Sequence, residues 1–291
     1  MTGRQQENTA AGPVPVSPEP PLLPPTVDQD PRAASAGTGR PVLRAALRWT
    51  AAVVVFAVVG AGTAYGIAGM KRSDVPGLGT ASDGRWDYPT LSRPPLPAGS
   101  PGPFADENKA QSHFADLRAL VLPPPKGAVV DKALAGTDGW LATKGFLAEF
   151  SSKDDRDELA QKLTDDGLRH IAARGWTTPD GTRTRIYLLQ FDTATVADDL
   201  VAKNLGGYAA PARPVVGADS YEEDADFPDA AKVTNISLLA YVEKKPYGAE
   251  QVRQAFLTAG DTVAMIVQSR KGTAKAVPFQ QTVTLQGQLL G

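Results

Sequence analysis

Along the chain the apolar positions form one long unbroken block and, after it, a series of short periodic ones. The block runs from Trp49 to Met70, 22 residues without a formal charge, bounded by Arg48 and by Lys71-Arg72. A helix rising about 1.5 Å per residue crosses a hydrocarbon core of about 30 Å in roughly 20 residues, so the block and its flanks, residues 41–72, predict one transmembrane helix. It starts too far from Met1 for a cleaved secretory leader, which predicts an uncleaved signal anchor.

The shorter blocks predict a folded domain over residues 104–291. Ala110, Phe114, Leu117 and Val121 recur at helical spacing and predict a helix from about Asp106 to Leu122, ended by Pro123-Pro-Pro125. Gly139–Phe150 reads as a strand, and Lys153–Asp165 as a charged helix burying Leu159 and Leu163. Leu168–Trp176 and Arg183–Phe191 read as two strands joined by Thr-Thr-Pro-Asp-Gly-Thr, where proline presets φ and glycine accepts a positive one. Ile186-Tyr-Leu-Leu-Gln-Phe191 is almost wholly apolar, which predicts a strand covered on both faces. Asp192 or Thr193 then caps a helix with Val196, Ala197, Leu200, Val201 and Leu205 on one face. Strands at Val233–Glu243, Val252–Thr258 and Thr262–Arg270 follow, the last two turning at Gly260-Asp261, and a helix over Phe279–Leu290 closes the chain. The pattern predicts an α+β fold, a mostly antiparallel sheet with packed helices, built as two βαββα-like halves.

Around these blocks the composition changes. Residues 1–40 are rich in Pro, Ala, Gly, Thr and Ser and carry no period, which predicts a disordered tail. Residues 73–103 hold seven prolines and five glycines and read as a semi-rigid linker, with Trp86 and Tyr88 as its aromatics. Four basic residues precede the span (Arg32, Arg40, Arg44, Arg48) and three follow it (Lys71, Arg72, Arg85), which favours a cytoplasmic N-terminus and an extracytoplasmic C-terminal domain. Within the span Gly62 and Gly66 have the spacing that lets two helices approach closely, so they are candidate packing positions for a homodimer.

Charge and cysteine count remove several chemistries. With 30 Lys+Arg against 32 Asp+Glu, nothing points to nucleic acid. With no cysteine there is no disulfide framework, thiol nucleophile, Cys-ligated zinc or Fe–S cluster. Only His113 and His170 could serve a histidine mechanism, and no G-x-S-x-G elbow, H-E-x-x-H pair or Gly-rich phosphate loop accompanies them. Both histidines are expected at the surface or packed on the sheet. No cofactor or metal is implied, and no catalytic residue is assigned.

Two groups remain as candidates for ligand or partner contact. The run Asp219–Asp229 holds six carboxylates, with Glu222, Glu223 and Asp224 at its centre, but it lacks the glycine and offsets of a calcium loop and reads as a solvated acidic segment between the halves. Trp140, Trp176 and Tyr241 read as core or core-edge aromatics that could line a cleft for an apolar or carbohydrate ligand.

The Ala/Gly/Pro-rich tail, the anchor, Leu120-Val-Leu-Pro-Pro-Pro125, Gly139-Trp140, Gly175-Trp-Thr-Thr-Pro-Asp-Gly181, Tyr187–Phe191 and Val277-Pro-Phe-Gln-Gln-Thr282 together resemble uncharacterised single-pass membrane proteins of high-GC actinobacteria. That resemblance implies a location and an architecture and carries no activity. By topology alone the halves are similar to extracytoplasmic sensor and lipoprotein domains of mycobacteria, although this chain has no cysteine to lipidate. The expectation is a membrane-anchored, non-catalytic envelope module that binds an envelope protein or a small ligand. The alternatives are an envelope hydrolase using carboxylates or His170, and a structural subunit of a membrane complex.

Overall fold

The computed structural model describes residues 40–69 and 82–291, so the tail ahead of Arg40 and residues 70–81 lie outside it. The described residues fall into two units, 40–69 and 82–291. In the first, helix α1 spans Arg40–Gly69. It is long and apolar enough to cross a membrane once, and its apolar stretch Ala46–Thr63 is buried against nothing. Its two threonines suit such a setting, because Thr50 and Thr63 donate their hydroxyls to Ala46 O and Val59 O one turn back.

The second unit is built on one sheet. Strands β1 (Val129–Asp131), β2 (His170–Thr177), β3 (Arg183–Gln190), β4 (Tyr221–Glu223), β5 (Ser237–Glu243), β6 (Glu250–Ala259) and β7 (Thr262–Lys271) pair in the order β1-β2-β3-β7-β6-β5-β4. Every pair is antiparallel. The fold is α+β, as the pattern predicts.

Alternation along the central strands divides the core in two. Tyr187 and Leu189 of β3 and Val263, Met265 and Val267 of β7 face one side, where α3 (Thr143–Leu147), α4 (Lys153–Asp165) and α5 (Ala194–Leu200) cover them. Ile186 and Leu188 with Ala264 and Ile266 face the other, under α2 (Leu117–Leu120) and α6 (Ala276–Leu290). The strand expected to be covered on both faces sits at the centre for that reason.

Both hairpins form where the turn chemistry places them. At 178–182 Gly181 takes φ +83°, and Asp180 Oδ1 accepts from Thr178 Oγ1 and the Thr182 N–H. At 260–261 Gly260 takes φ +50°, and a Cβ there would lie 2.1 Å from Gln111 O, so only glycine fits. Helix α4 starts and stops where expected, capped by Ser152 Oγ accepting the Asp155 N–H, with Asp154 and Asp155 in its first turn. The helix after Thr193 also forms and runs on into a π-turn over Val201–Leu205, but Thr193 makes no side-chain cap.

Two elements differ from expectation. Residues 106–122 form a loop ending in the single turn α2. Gln111 takes φ +53°, and Asn108 folds the segment on itself, donating Nδ2 to Gly102 O and Ser112 O while accepting the Ser112 N–H. Residues 139–150 contain helix α3 instead of a strand, because one helical turn buries Phe146 and Leu147 together and brings Phe150, just past its end, into the same cluster. The halves share hairpin, central strand and helix, but α5 and α6 cover opposite faces, and residues 244–249 join β5 to β6 without a helix.

The proline-rich stretch also differs from a free spacer. Where described, at 82–103, it lies along α6. The Trp86 backbone exchanges both its hydrogen bonds with the Gln281 amide, Tyr88 Oη lies 2.9 Å from Thr282 Oγ1, and Arg93 Nε donates to Gln288 O. An extended proline-rich chain leaves its backbone groups without internal partners, and Gln281 of α6 supplies those of Trp86.

Candidate functional site

Cross-strand rows place charge where the core should be apolar. Along β3 the positions 185, 187 and 189 share one face; Tyr187 and Leu189 are buried there, and the next place in the row is Arg185. Its side chain is only 12% exposed. Opposite it, from the segment between α3 and α4, comes Glu149, equally buried, with Oε1 2.7 Å from Arg185 Nε. The Tyr187 hydroxyl donates to the same oxygen at 2.5 Å.

Each group sets the state of the others. Burial pushes the Tyr187 phenol far above its ordinary range and the Glu149 carboxylate adds to this, so the phenol stays a neutral donor. Burial acts to lower Arg185, but the facing carboxylate outweighs it and the guanidinium is held above its usual value, charged.

The pair is nonetheless unevenly matched. The approach to Glu149 lies off the N–H direction, so neither Nε nor Nη1 of Arg185 has a hydrogen-bond partner, although both atoms are buried. In the same sheet row, two strands away, fully buried Gln254 also has neither amide group paired. Buried donors without acceptors are uncommon, because each forfeits its hydration for nothing.

Arg185 and Glu149 border a cleft of about 440 Å³ at the end of the sheet where β3 starts and β7 finishes. Arg183, Arg185 and Ser269 contribute from β3 and β7, Glu250 from the start of β6, Glu149 from one wall, and Gly217 and Gly248 from the loops. Arg183 Nη1 and Glu250 Oε2 stand 4.0 Å apart, at the limit of an ion contact. The loops are held by Glu243, fully buried, whose carboxylate accepts the backbone N–H groups of Asp219, Tyr247 and Val252. Glu243 is thus spent on architecture.

A second hollow of about 390 Å³ is apolar, lying between Pro94–Phe104, Phe114, Leu120 and Leu289–Leu290, with His113 on its inner wall. His113 is buried, Nδ1 2.7 Å from Asp261 Oδ1 and Nε2 2.9 Å from Leu290 O. Asp261 also accepts from Gln190 Nε2 and Thr262 Oγ1. This resembles the acid–imidazole half of a hydrolytic triad, but Nε2 donates to a main-chain carbonyl and so has no lone pair for a substrate proton. His170 is exposed, stacks on Trp140 at 4.4 Å between ring centres, and makes no hydrogen bond among the described residues.

The residues singled out from sequence are not brought together. Trp140 is half-buried and carries both His170 and the Arg118 guanidinium on its ring. Trp176 is buried under the α2/α6 face, edge-on to Tyr88, with Nε1 unpaired. Tyr241 is buried on the opposite face, its hydroxyl donating to Gly207 O. Of the acidic run, Glu222 and Glu223 are exposed on β4 and Glu222 meets Lys244 at 3.7 Å. Asp224 is buried, 2.8 Å from Arg253 Nη1, so this part of the run is structural and not solvated. Gly62 and Gly66 both lie in α1, and nothing stands within 4 Å of the position a Cβ on Gly62 would take. No cluster of three or more metal-ligating side chains occurs among the described residues.

Arg185 and Glu149 carry a signal the sequence reading passed over: a charge at a core-facing position of a strand whose next two core-facing residues are Tyr187 and Leu189.

No protein-family model matches the chain, and no curated protein does either. Among solved structures it is similar to the extracellular domain of PknH from Mycobacterium tuberculosis, at 13% identity over 56% of this chain and 77% of that one, with a TM-score of 0.29. It is also similar to a putative uncharacterized protein, the Rv0999 ortholog of Mycobacterium smegmatis, at 6% identity over 57% and 78%, with a TM-score of 0.27. Likeness at this level carries no argument about either fold or function.

Proposed function

We propose that this chain is a membrane-anchored extracytoplasmic binding module whose sheet domain holds a small polar ligand in the cleft over Arg185. One observation carries the ligand part: the largely buried Arg185 guanidinium and the part-exposed, loosely paired Arg183 and Glu250 line an open cleft of ligand size. A polar ligand there adds close partners to charges that the free protein leaves 4.0 Å apart. The anchor part rests on α1, and the orientation on the basic residues ahead of the span.

Binding is favoured over turnover because neither histidine presents a free base beside a nucleophile. Full-length protein in detergent, screened with small polar compounds by thermal shift and then by amide NMR, tests the reading. Expected are hits whose shifts cluster at Glu149, Arg185, Gly217 and Gly248. Hits that cluster instead at the apolar hollow by Phe104 and Leu289 would move the site there and end this assignment. A C-terminal enzyme reporter active only outside the cytoplasm checks the orientation.

A further inference from the structure

Resting on the reading of this cleft as the ligand site, we infer that its ligand is a small zwitterion of the amino-acid or dipeptide class, its carboxylate meeting Arg185 and Arg183 and its ammonium meeting Glu250. The charge inventory of the cleft leads there. Two guanidiniums and two carboxylates line it, so it is near neutral as a whole while strongly polarised within. A simple anion gains from Arg183 and Arg185 but also faces Glu149 and Glu250. A simple cation has the reverse difficulty. A molecule carrying both signs a few ångströms apart satisfies both sets.

The four groups are also unequally engaged, which sets the direction of binding. Glu149 is occupied by Tyr187 and Arg185 and has least to give a ligand. Arg185 meets Glu149 through Nε and lines the cleft, and a planar fork of N–H groups matches a carboxylate in two-point geometry. Glu250 lies within electrostatic reach of Arg185, and among the described residues neither its carboxylate nor the Arg183 guanidinium makes a hydrogen bond. The 4.0 Å gap between those two is loose enough to be replaced by two closer contacts, Arg183 to a carboxylate and Glu250 to an ammonium. Val216, Ala249 and Val252 add short apolar surface, suited to small side chains and not to a long chain or sugar.

The test uses the full-length protein in detergent micelles, by calorimetric titration and thermal shift. The probes are L-alanine and L-alanyl-L-alanine, with acetate and ethylammonium as the two half-ligands. Expected is saturable binding of at least one zwitterion and none of either half-ligand at the same concentration. Arg183→Gln and Glu250→Gln, both on partly exposed side chains, should each weaken zwitterion binding about tenfold, the loss of one charge-assisted contact, and leave the ligand-free melting temperature unchanged. Acetate binding as tightly as the zwitterions would overturn the inference while leaving the cleft a ligand site. Zwitterion binding insensitive to both substitutions would overturn it by placing the ligand elsewhere. No binding by any of the four probes would overturn this inference and leave the cleft reading to the wider screen of polar compounds.

Discussion

Two buried polar clusters sit at opposite ends of the β3–β7 pair, and they are built to opposite rules. At one end, where Gln190 faces Thr262, His113, Asp261, Gln190 and Thr262 form a closed network in which every heteroatom of the Asp261 carboxylate and His113 ring meets a partner. At the other, where Arg183 faces Ser269, Arg185 shares one carboxylate with Tyr187 and keeps unpaired donors beside an open cleft. Both ends are largely buried, the closed one almost wholly, but only the closed one is complete. A closed network is a fastening, whereas an incomplete one bordering a cleft is a socket, because only the second gains from an added molecule.

Breaking the closed end should cost most. His113→Ala strands the fully buried Asp261 carboxylate and is expected to lower unfolding free energy by about 3–5 kcal/mol in urea denaturation. If the loss were below about 1 kcal/mol, the network would not be the fastening described. Gln286 extends the same rule to a neutral group, since its amide accepts the Leu122 N–H and donates to Leu120 O while wholly buried. Gln286→Leu orphans both backbone groups, with a loss of about 1–3 kcal/mol for each, measured the same way.

The open end should respond differently. Arg185→Met with Glu149→Gln removes both charges and keeps an acceptor for Tyr187. Stability should change by no more than about 1 kcal/mol, since an imperfect buried ion pair barely offsets its own desolvation. Ligand binding should vanish in the same variant. The smallest effect belongs to Asp180, partly exposed at the β2–β3 turn. Its partial burial acts to raise it, but hydrogen bonds from Thr178 and Thr182, with the Lys275 ammonium, outweigh this and hold the carboxyl below its ordinary range. The unfolded chain therefore binds this proton more readily than the folded one. The contribution is complete above about pH 4 and is lost as pH falls through the lowered folded value. The melting-temperature gap between wild type and Asp180→Asn should be largest near neutrality and close in acid.

What the sequence conveyed about this molecule follows how local the cause was. Helix α4 was legible end to end because its cap, acidic first turn and Leu159/Leu163 stripe all lie within 13 residues. Both hairpins were legible because Asp180-Gly181 and Gly260-Asp261 carry their own turn chemistry. The loop at 106–122 was not, since Asn108 folds it on itself and His113 is buried by contacts with distant Asp261 and Leu290, while Phe114, counted as core, is exposed. Spacing of apolar residues cannot report a polar side chain whose partner arrives from Asp261. The α3 segment was misread for a nearer reason: Phe146, Leu147 and Phe150 carried the helical period, but neighbouring Trp140 and Leu141 obscured it. The cleft was hidden because Glu149 and Arg185 lie 36 positions apart in sequence and meet only when α3 packs on the sheet, although the charge at a core-facing place in β3 was there to be seen.

The strip of chain along α6 bears on how the domain takes a pull. Tension arriving from residue 82 meets the Trp86–Gln281 exchange first, then Tyr88 on Thr282, then Arg93 on Gln288, each further along the same helix. Load is therefore taken up one rung at a time along α6, and Tyr88, edge-on to Trp176, passes part of it to β2. Up to eleven residues, from Trp86 to Leu96, can pay out in this way at about 3.3 Å each, a slack of roughly 35 Å held in reserve ahead of the cleft and its fastenings.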